Sequence, residues 1–196
     1  MLEKLTKLST ESLINKHIVD ADDRDVYEYG FHIFYSNVLL ALFVGIISVI
    51  LKQLPQTVVF YFVFILLRNT AGGYHANTQH RCFFISAIIW LLSLCIINQL
   101  TSGIIIIAMS AMSTFLIWIK APIEHENNPL GDYGRTKMKK HSRAISVAFL
   151  LTCVVLFILM VEPYKWIAAA IAVGMFSHFI LFAVAILNPT ARKKEN

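Results

Sequence analysis

The sequence predicts an all-α, polytopic membrane protein with about six transmembrane helices and an amphipathic N-terminal helix. A polar segment between two of the spans either re-enters the membrane or extends a helix. The 196 residues are 57% hydrophobic with a mean hydropathy of +0.65, which is more apolar than soluble domains usually are. The apolar residues fall in runs long enough to cross a bilayer. The length suits a single membrane-embedded domain, residues 1–196.

The N-terminal stretch, residues 1–30, is polar and charged, and no cleavable signal peptide is expected because it lacks an apolar core. The acidic stretch 20–25 is expected to be a turn or a solvated face. Before it, apolar residues recur at helical spacing among Lys and Glu: Leu2, Leu5, Leu8, Ile14 and Ile18. This pattern predicts an amphipathic helix that lies on the membrane surface or packs on the cytosolic face of the domain.

Six apolar segments follow, and most are near the length that a membrane-spanning helix needs. They cover about residues 33–51, 54–67, 82–97, 103–119, 144–161 and 166–187. Three short polar stretches between them are predicted to be tight turns, because Pro55 and Pro163 cannot continue a helix interior. These stretches are LKQLPQ (51–56), NQLTSG (98–103) and EPYK (162–165).

The basic residues are distributed very unevenly between the two ends of such a six-span bundle. If both termini lie on one side, that side holds 15 of the 17 Lys and Arg residues, and the other holds only Lys52 and Lys165. The positive-inside rule then places both termini and the 120–143 loop in the cytosol. We therefore expect a multi-pass membrane protein with the polar segment 68–82 on the cytosolic side.

The second apolar segment, 54–67, is shorter than the others. Its 14 residues would reach about 21 Å as a helix, against a hydrocarbon core of roughly 30 Å. Either the helix continues into the polar stretch RNTAGGYHANTQHRC (68–82), or that stretch dips into the membrane. Both alternatives place the 68–82 segment near the lipid boundary.

His75 and Cys82 are the chemically notable pair in the 68–82 segment. A thiolate is a strong nucleophile, and an imidazole beside it can take its proton and later protonate a leaving amine. On one straight helix their seven-residue separation would place them about 10.5 Å apart along the axis. A catalytic dyad therefore requires a bend, for which Gly72-Gly73 and the stretch 77–79 offer suitable residues.

Other interpretations of these residues are open. Cys82 is equally compatible with a small buried side chain at a helix start. His75, His80 and Cys82 are candidate zinc ligands, but the chain has no H-E-x-x-H or C-x-x-C pattern, and no metal site is predicted. Cys95 and Cys153 have no neighbouring His or basic residue in sequence and are expected to be inert. His178 lies in mid-span, where an ionisable group often marks a functional site, and has no assigned role.

The stretch from 120 to 143 divides into an acidic, amide-rich half and a basic half. The first half contains APIEHENNPL (121–130). The second half carries the basic cluster: Arg135, Lys137, Lys139, Lys140 and Arg143. Membrane topology and anionic lipid head groups account for such a cluster, and so does a docking surface for an acidic peptide.

Two motifs resemble those of the accessory gene regulator B (AgrB) family, membrane peptidases of Gram-positive bacteria. The first is the run Gly72-Gly73-Tyr74-His75-Ala76 with a Cys seven residues after the His. The second is APIEHENNPL (121–130), similar to the later A-P-x-E…N-x-P segment of the family. Chain length, six apolar segments and the amphipathic N-terminus agree, so the resemblance covers nearly the whole chain.

The resemblance implies a membrane-embedded cysteine endopeptidase for a quorum-sensing propeptide. Cys82 would be the nucleophile and His75 the general base. The implied substrate is an AgrD-like propeptide with an amphipathic leader and an acidic tail, whose cleavage leaves a cyclic thiolactone or lactone peptide. The implied assembly is a homodimer in contact with membrane lipids. Candidate contacts to the substrate, including guesses for a third catalytic residue and oxyanion donors, are Arg68, Gly72, Gly73, Asn77, Gln79, Glu124, Arg135, Lys137, Lys139 and Lys140.

Two other classes of function compete with the peptidase. In a non-enzymatic membrane scaffold or regulator, His75 and Cys82 would only pack. A small transporter is disfavoured because the spans hold almost no charged residues that could line a path. Neither a cofactor nor a nucleic-acid partner is expected.

Overall fold

A computed structural model describes residues 2–16, 18–73, 79–123, 131–159 and 165–187, with side chains at all of these positions except 2 and 79–82. Most of the described residues are helical, and none of them is in a β-strand. A 3₁₀ turn, Ala21–Asp23, precedes the second helix. The helices are α1 (Leu2–Asn15), α2 (Arg24–Ile50), α3 (Leu54–Ala71), α4 (Gln79–Gln99), α5 (Gly103–Lys120), α6 (Asp132–Ile158) and α7 (Lys165–Leu187).

The prediction of an all-α polytopic membrane protein is confirmed. Five helices, α2, α3, α5, α6 and α7, are long and apolar enough to cross a membrane. The sixth apolar segment is α4, which has 21 residues and an apolar portion at Phe83–Gln99. Each predicted apolar segment thus corresponds to one helix of α2–α7.

Two helix boundaries differ from the sequence prediction because helices continue beyond their apolar runs. Helix α3 extends past Leu67 to Ala71, which gives it 18 residues and a length of about 27 Å. Helix α6 begins at Asp132, so the predicted 120–143 loop is wrong for its second half. The residues of that half include several Lys and Arg, which are good helix formers. Hydropathy detects only the lipid-embedded part of such a helix.

The turn between α2 and α3 is also shorter than predicted. It spans residues 51–53 and contains Lys52 with a positive φ of 55°. Pro55 lies in the first turn of α3 rather than in the connection, at a position where its missing N–H removes no helical hydrogen bond. The predicted turn before α5 is confirmed at residues 100–102, whereas residues 160–164 lie outside the described part of the chain.

Helix α1 packs on α2 through its small polar residues. Thr6 and Thr10 are buried, and the Ser9 hydroxyl lies 2.6 Å from the Tyr35 hydroxyl. Leu5 and Leu8 are exposed instead. The predicted helix is confirmed, and its leucine side faces away from the bundle, as a helix at a membrane surface requires.

Helix α7 is the central helix of the bundle. It contacts α3, α4, α5 and α6, and most of its residues are buried. Small residues allow this close packing: a Cβ added to Gly174 would lie 3.2 Å from the Phe60 carbonyl oxygen and from the Val63 Cβ. The outer surfaces of the surrounding helices carry exposed apolar side chains such as Phe62, Phe115 and Leu151, as expected for lipid-facing surfaces.

Buried hydroxyl groups connect the helices at several levels. The Ser48 hydroxyl of α2 donates to Thr57 of α3 at 2.9 Å, and Trp90 Nε1 of α4 donates to the same Thr57 oxygen at 3.3 Å. Hydroxyl hydrogen bonds of this type hold helices together where no hydrophobic driving force acts between them. Further buried contacts of this kind join Ser93 with Ser177, Ser110 with Cys153, and Thr114 with the Ser146 carbonyl oxygen.

Candidate active site

The helical backbone is interrupted within the 68–82 segment. Helix α3 ends at Ala71, and the Gly72 N–H makes the last bond back to the Arg68 carbonyl at 3.1 Å. Gly72 then takes φ 80° and ψ −161°, a conformation that is accessible almost only to glycine. Helix α4 begins seven residues later, at Gln79. Helix α3 therefore does not continue through Gly72 and Gly73, whereas the path of the chain from His75 to the start of α4 lies outside the described residues.

The described site residues of the 68–82 segment form two groups. Gly72 and Gly73 form the end of α3, where Arg68 occupies the last turn. Gln79 and Cys82 lie in the first turn of α4, with only their backbone described. His75, Asn77 and Glu124 lie outside the described residues. The contact between His75 and Cys82 thus stays a prediction.

His178, which had no assigned role, lies beside the interruption. Its Nε2 is 2.9 Å from the Gly72 carbonyl oxygen, and a Cβ added to Gly73 would lie 3.9 Å from the same nitrogen. The imidazole is 1% exposed and lies between the rings of Phe64 and Phe182, with centroid distances of 6.5 and 5.5 Å. Its mid-span position was the only sequence signal that could have identified it.

The chain that follows α5 also returns to the end of α3. The Ile123 N–H donates to the Ala71 carbonyl at 2.9 Å, after a cis peptide bond between Ala121 and Pro122. A Cβ at Gly72 would collide with the Ile123 carbonyl oxygen. The two sequence motifs therefore adjoin the same contact between Ala71 and Ile123. His75 follows Gly73 by two residues, and Glu124 directly follows Ile123.

These contacts explain how α3 can end inside an apolar layer. His178 lies nine residues before Leu187, the end of α7, a distance of about 14 Å along the helix axis. Gly72 is hydrogen-bonded to the side chain of His178 and therefore lies at a similar depth in the bundle. At such a depth exposed backbone groups have no water to bind, so irregular backbone must be satisfied by the protein. The Ile123 N–H and His178 Nε2 satisfy the carbonyls of Ala71 and Gly72.

Arg68 is oriented towards the same place. Its guanidinium carbon lies 6.0 Å from the centroid of the Phe64 ring. It lines a narrow cleft together with Phe64 of α3, both glycines, and His178 and Leu181 of α7. A positive charge is thus present at the point where α3 ends.

The basic cluster lies on the first turns of α6. Arg135, Lys137, Lys139 and Lys140 are exposed, and an approaching anion can therefore reach them. Arg143 differs, because its guanidinium donates to the Trp118 carbonyl at 2.6 Å and lies 4.8 Å from the Trp118 ring centroid. Arg143 therefore joins α5 to α6, and the exposed part of the cluster is smaller than the sequence prediction.

Comparisons with known proteins agree with the two motifs. The family model described as Accessory gene regulator B matches residues 6–184. A protein described as AgrB-like from Clostridium perfringens (strain SM101) is 25% identical over 162 residues, covering 76% of this chain and 74% of the relative. An AgrB-like protein of Listeria innocua is 29% identical over 177 residues, covering 88% of this chain and 81% of the relative.

A shorter match has higher identity. Protein FsrB of Enterococcus faecalis is 34% identical over 83 residues, which is 39% of this chain and 34% of that protein. No solved structure matches the chain.

Proposed function

Because the chain belongs to the accessory gene regulator B family, with a role in that quorum-sensing system, we propose that it is a membrane-embedded cysteine endopeptidase. It removes the C-terminal tail of an AgrD-like propeptide and closes the remaining segment into a thiolactone or lactone ring. Cys82 is the nucleophile and His75 the general base. Co-expression of wild-type and Cys82 variants with a propeptide, followed by detection of the released tail, tests this proposal.

The observation that carries the proposal is the interruption between α3 and α4. The backbone leaves the helical conformation at Gly72 and Gly73, ahead of His75, which favours a change of chain direction before the pair. Cys82 lies before the apolar portion of α4, Phe83–Gln99, and not within it. Both features favour nucleophilic catalysis over a purely structural role for this Cys.

The reaction proceeds in two acyl transfers. The Cys82 thiolate attacks the carbonyl carbon before the acidic tail, the C–N bond breaks, and protonated His75 gives its proton to the departing amine. The signalling segment is then a thioester on Cys82. A thiol or hydroxyl of the substrate gives its proton to the now neutral His75 and attacks this thioester, which closes the ring and returns the Cys82 thiolate.

Water must be kept from the thioester, since hydrolysis would give a linear product. The end of α3 is hydrogen-bonded, through the Gly72 carbonyl, to the buried His178 of α7. The nearby side chains of Phe64, Leu181 and Phe182 are apolar. A water-poor surrounding of this kind suppresses hydrolysis of reactive intermediates. It therefore favours ring closure by the tethered nucleophile.

We further propose that the substrate is held at both of its ends. Arg68 and the exposed residues of the basic cluster attract the acidic tail, whereas the leucine side of α1 lies beside the amphipathic leader on the membrane. Anionic lipid head groups would compete for the same basic residues. Dimeric assembly stays a prediction from the family resemblance.

The double charge reversal Lys137→Glu with Lys140→Glu is expected to weaken cleavage of the full propeptide about tenfold at low salt, since each lost attraction is worth roughly 1 kcal/mol or less. The difference from wild type should shrink as ionic strength rises. Initial rates of tail release in proteoliposomes measure both effects. Lys4→Glu with Lys7→Glu is the matched control, with the same spacing of exposed Lys residues on α1. Equal rates for the two double variants would contradict tail docking on α6.

The proposed orientation places the start of α6 in the cytosol and the α4–α5 turn outside. A Cys introduced at Lys137 should react with a membrane-impermeant maleimide only after the cells are permeabilised. A Cys at Thr101, which is exposed in that turn, should react in intact cells. Mass spectrometry of the labelled peptides identifies which Cys has reacted. The opposite labelling pattern would invert the topology and remove the cytosolic propeptide as a substrate.

A further inference from the structure

The hydrogen bond between His178 and Gly72 has a defined direction. The Gly72 carbonyl oxygen can only accept, so the imidazole carries its proton on Nε2 and donates it. In the neutral ring, Nδ1 is then an unprotonated acceptor. Nδ1 is buried and has no hydrogen-bond partner among the described residues. What the ring contributes at this position is therefore the donation from Nε2.

The acceptor in this bond is a carbonyl that a helix end leaves unpaired. The last carbonyls of a helix have no partner within the helix, and in apolar surroundings an unpaired carbonyl is strongly unfavourable. Without the donor at position 178, the peptide plane of Gly72 would turn to find another partner. The direction in which the chain leaves α3 at Gly72, three residues before His75, thus depends on His178.

The imidazole is itself held in a fixed place. Helix α7 packs directly on α3, with Gly174 against the backbone of Phe60 and the side chain of Val63 one turn above His178. The rings of Phe64 and Phe182 bound the imidazole. Because the donor belongs to a tightly packed helix, it holds the Gly72 carbonyl at a fixed position relative to the bundle. A donor on a mobile loop would let the carbonyl move with the loop.

We propose that His178 is a positioning residue that sets the geometry of the His75–Cys82 pair by holding the Gly72 carbonyl, a role that rests on the proposed peptidase function. It touches neither the substrate nor the reacting atoms. A displacement of about 1 Å in a catalytic group can cost on the order of a hundredfold in rate. Loss of this one hydrogen bond should therefore reduce catalysis far more than it reduces the stability of the bundle.

Two amide substitutions distinguish hydrogen-bond donation by His178 from a role in which the side chain only fills the space between α3 and α7. In His178→Gln the side-chain N–H₂ reaches the position of Nε2 and can donate to Gly72. In His178→Asn the amide is one carbon shorter and reaches only the position of Nδ1. Both variants are neutral and polar, so that only the place of the donor differs between them.

The experiment uses the full chain in proteoliposomes with a synthetic propeptide, and it compares wild type, His178→Gln, His178→Asn and His75→Ala. One readout is the rate of tail release. The other is the rate at which iodoacetamide alkylates Cys82 across a pH series, followed by mass spectrometry of the Cys82 peptide. This second readout needs no substrate, and it reports whether an imidazole still lies beside the thiol.

We expect His178→Asn to lower tail release at least tenfold and to shift the pH profile of Cys82 alkylation towards that of His75→Ala. His178→Gln should stay within about threefold of wild type in both readouts. The proposal is overturned if His178→Asn equals wild type, or if His178→Gln is as impaired as His178→Asn. Variants are compared only as folded, monodisperse protein, and His178→Leu replaces His178→Asn if the latter does not accumulate.

Failure of the underlying peptidase function would look different. In that case wild type itself releases no tail, and His75→Ala leaves the alkylation profile of Cys82 unchanged. A wild-type enzyme that is active and depends on His75, together with a His178→Asn variant of equal activity, contradicts only the positioning role.

Discussion

Replacement of Cys82 by alanine is expected to abolish tail release, with a loss of at least about a thousandfold, because the acyl-enzyme cannot form without the thiolate. Replacement by serine should leave little activity, since a hydroxyl is a far weaker nucleophile at neutral pH. In both variants the uncleaved propeptide should accumulate at the membrane. Separation of propeptide, tail and cyclic product by mass spectrometry after co-expression measures all three outcomes.

The matched control for this experiment is a second cysteine of the same helix. Cys95 is exposed near the C-terminal end of α4 and is a free cysteine. Cys95→Ala should retain wild-type cleavage and membrane abundance. If Cys82→Ala still releases the tail at a rate comparable to Cys95→Ala, the peptidase proposal is wrong and a scaffold function becomes the better account.

Replacement of Gly72 by alanine is expected to have the next largest effect. The backbone conformation of Gly72 is essentially restricted to glycine and costs a side chain about 1–3 kcal/mol. The added Cβ would also collide with the Ile123 carbonyl oxygen, so the residues after α5 would have to move away from α3. We expect a lower midpoint of thermal unfolding in detergent and a loss of tail release of about a hundredfold.

Gly45→Ala provides the comparison for this substitution. Gly45 is within α2, where an added Cβ would meet nothing within 4 Å, and alanine is the better helix former. Its unfolding midpoint should be unchanged or slightly higher, and its cleavage rate normal. Equal behaviour of the Gly72 and Gly45 variants would show that the contact between Gly72 and Ile123 is not important for the fold or for catalysis.

The sequence was sufficient for the number and order of the apolar helices α2–α7, because lipid contact requires long apolar runs. It was insufficient for the ends of α3 and α6, since a helix can continue into polar residues that hydropathy does not register. In α1 the helix itself was predictable, but the burial of Thr6 and Thr10 was not. Small polar residues can pack on a neighbouring helix when leucine can face lipid.

The sequence predicted only those features of the candidate site that depend on residues close to one another along the chain. The glycine pair indicated a break before Cys82, and α3 does end there. The roles of His178 and Ile123 were not predictable, because each meets α3 across a separation of about 50 to 106 residues that leaves no local pattern. Such contacts depend on how helices pack, which one sequence does not specify residue by residue.

The buried hydroxyl contacts have a consequence for the axial register of the helices. Each joins a different pair: Ser48 with Thr57 for α2 and α3, Ser93 with Ser177 for α4 and α7, and Thr114 with Ser146 for α5 and α6. Sliding one helix by a single turn, about 5.4 Å, would separate these partners and remove the polar contact between the two helices. The axial position of the α3 end relative to its neighbouring helices therefore depends on hydroxyl groups that are far from Gly72 and Gly73 along the chain.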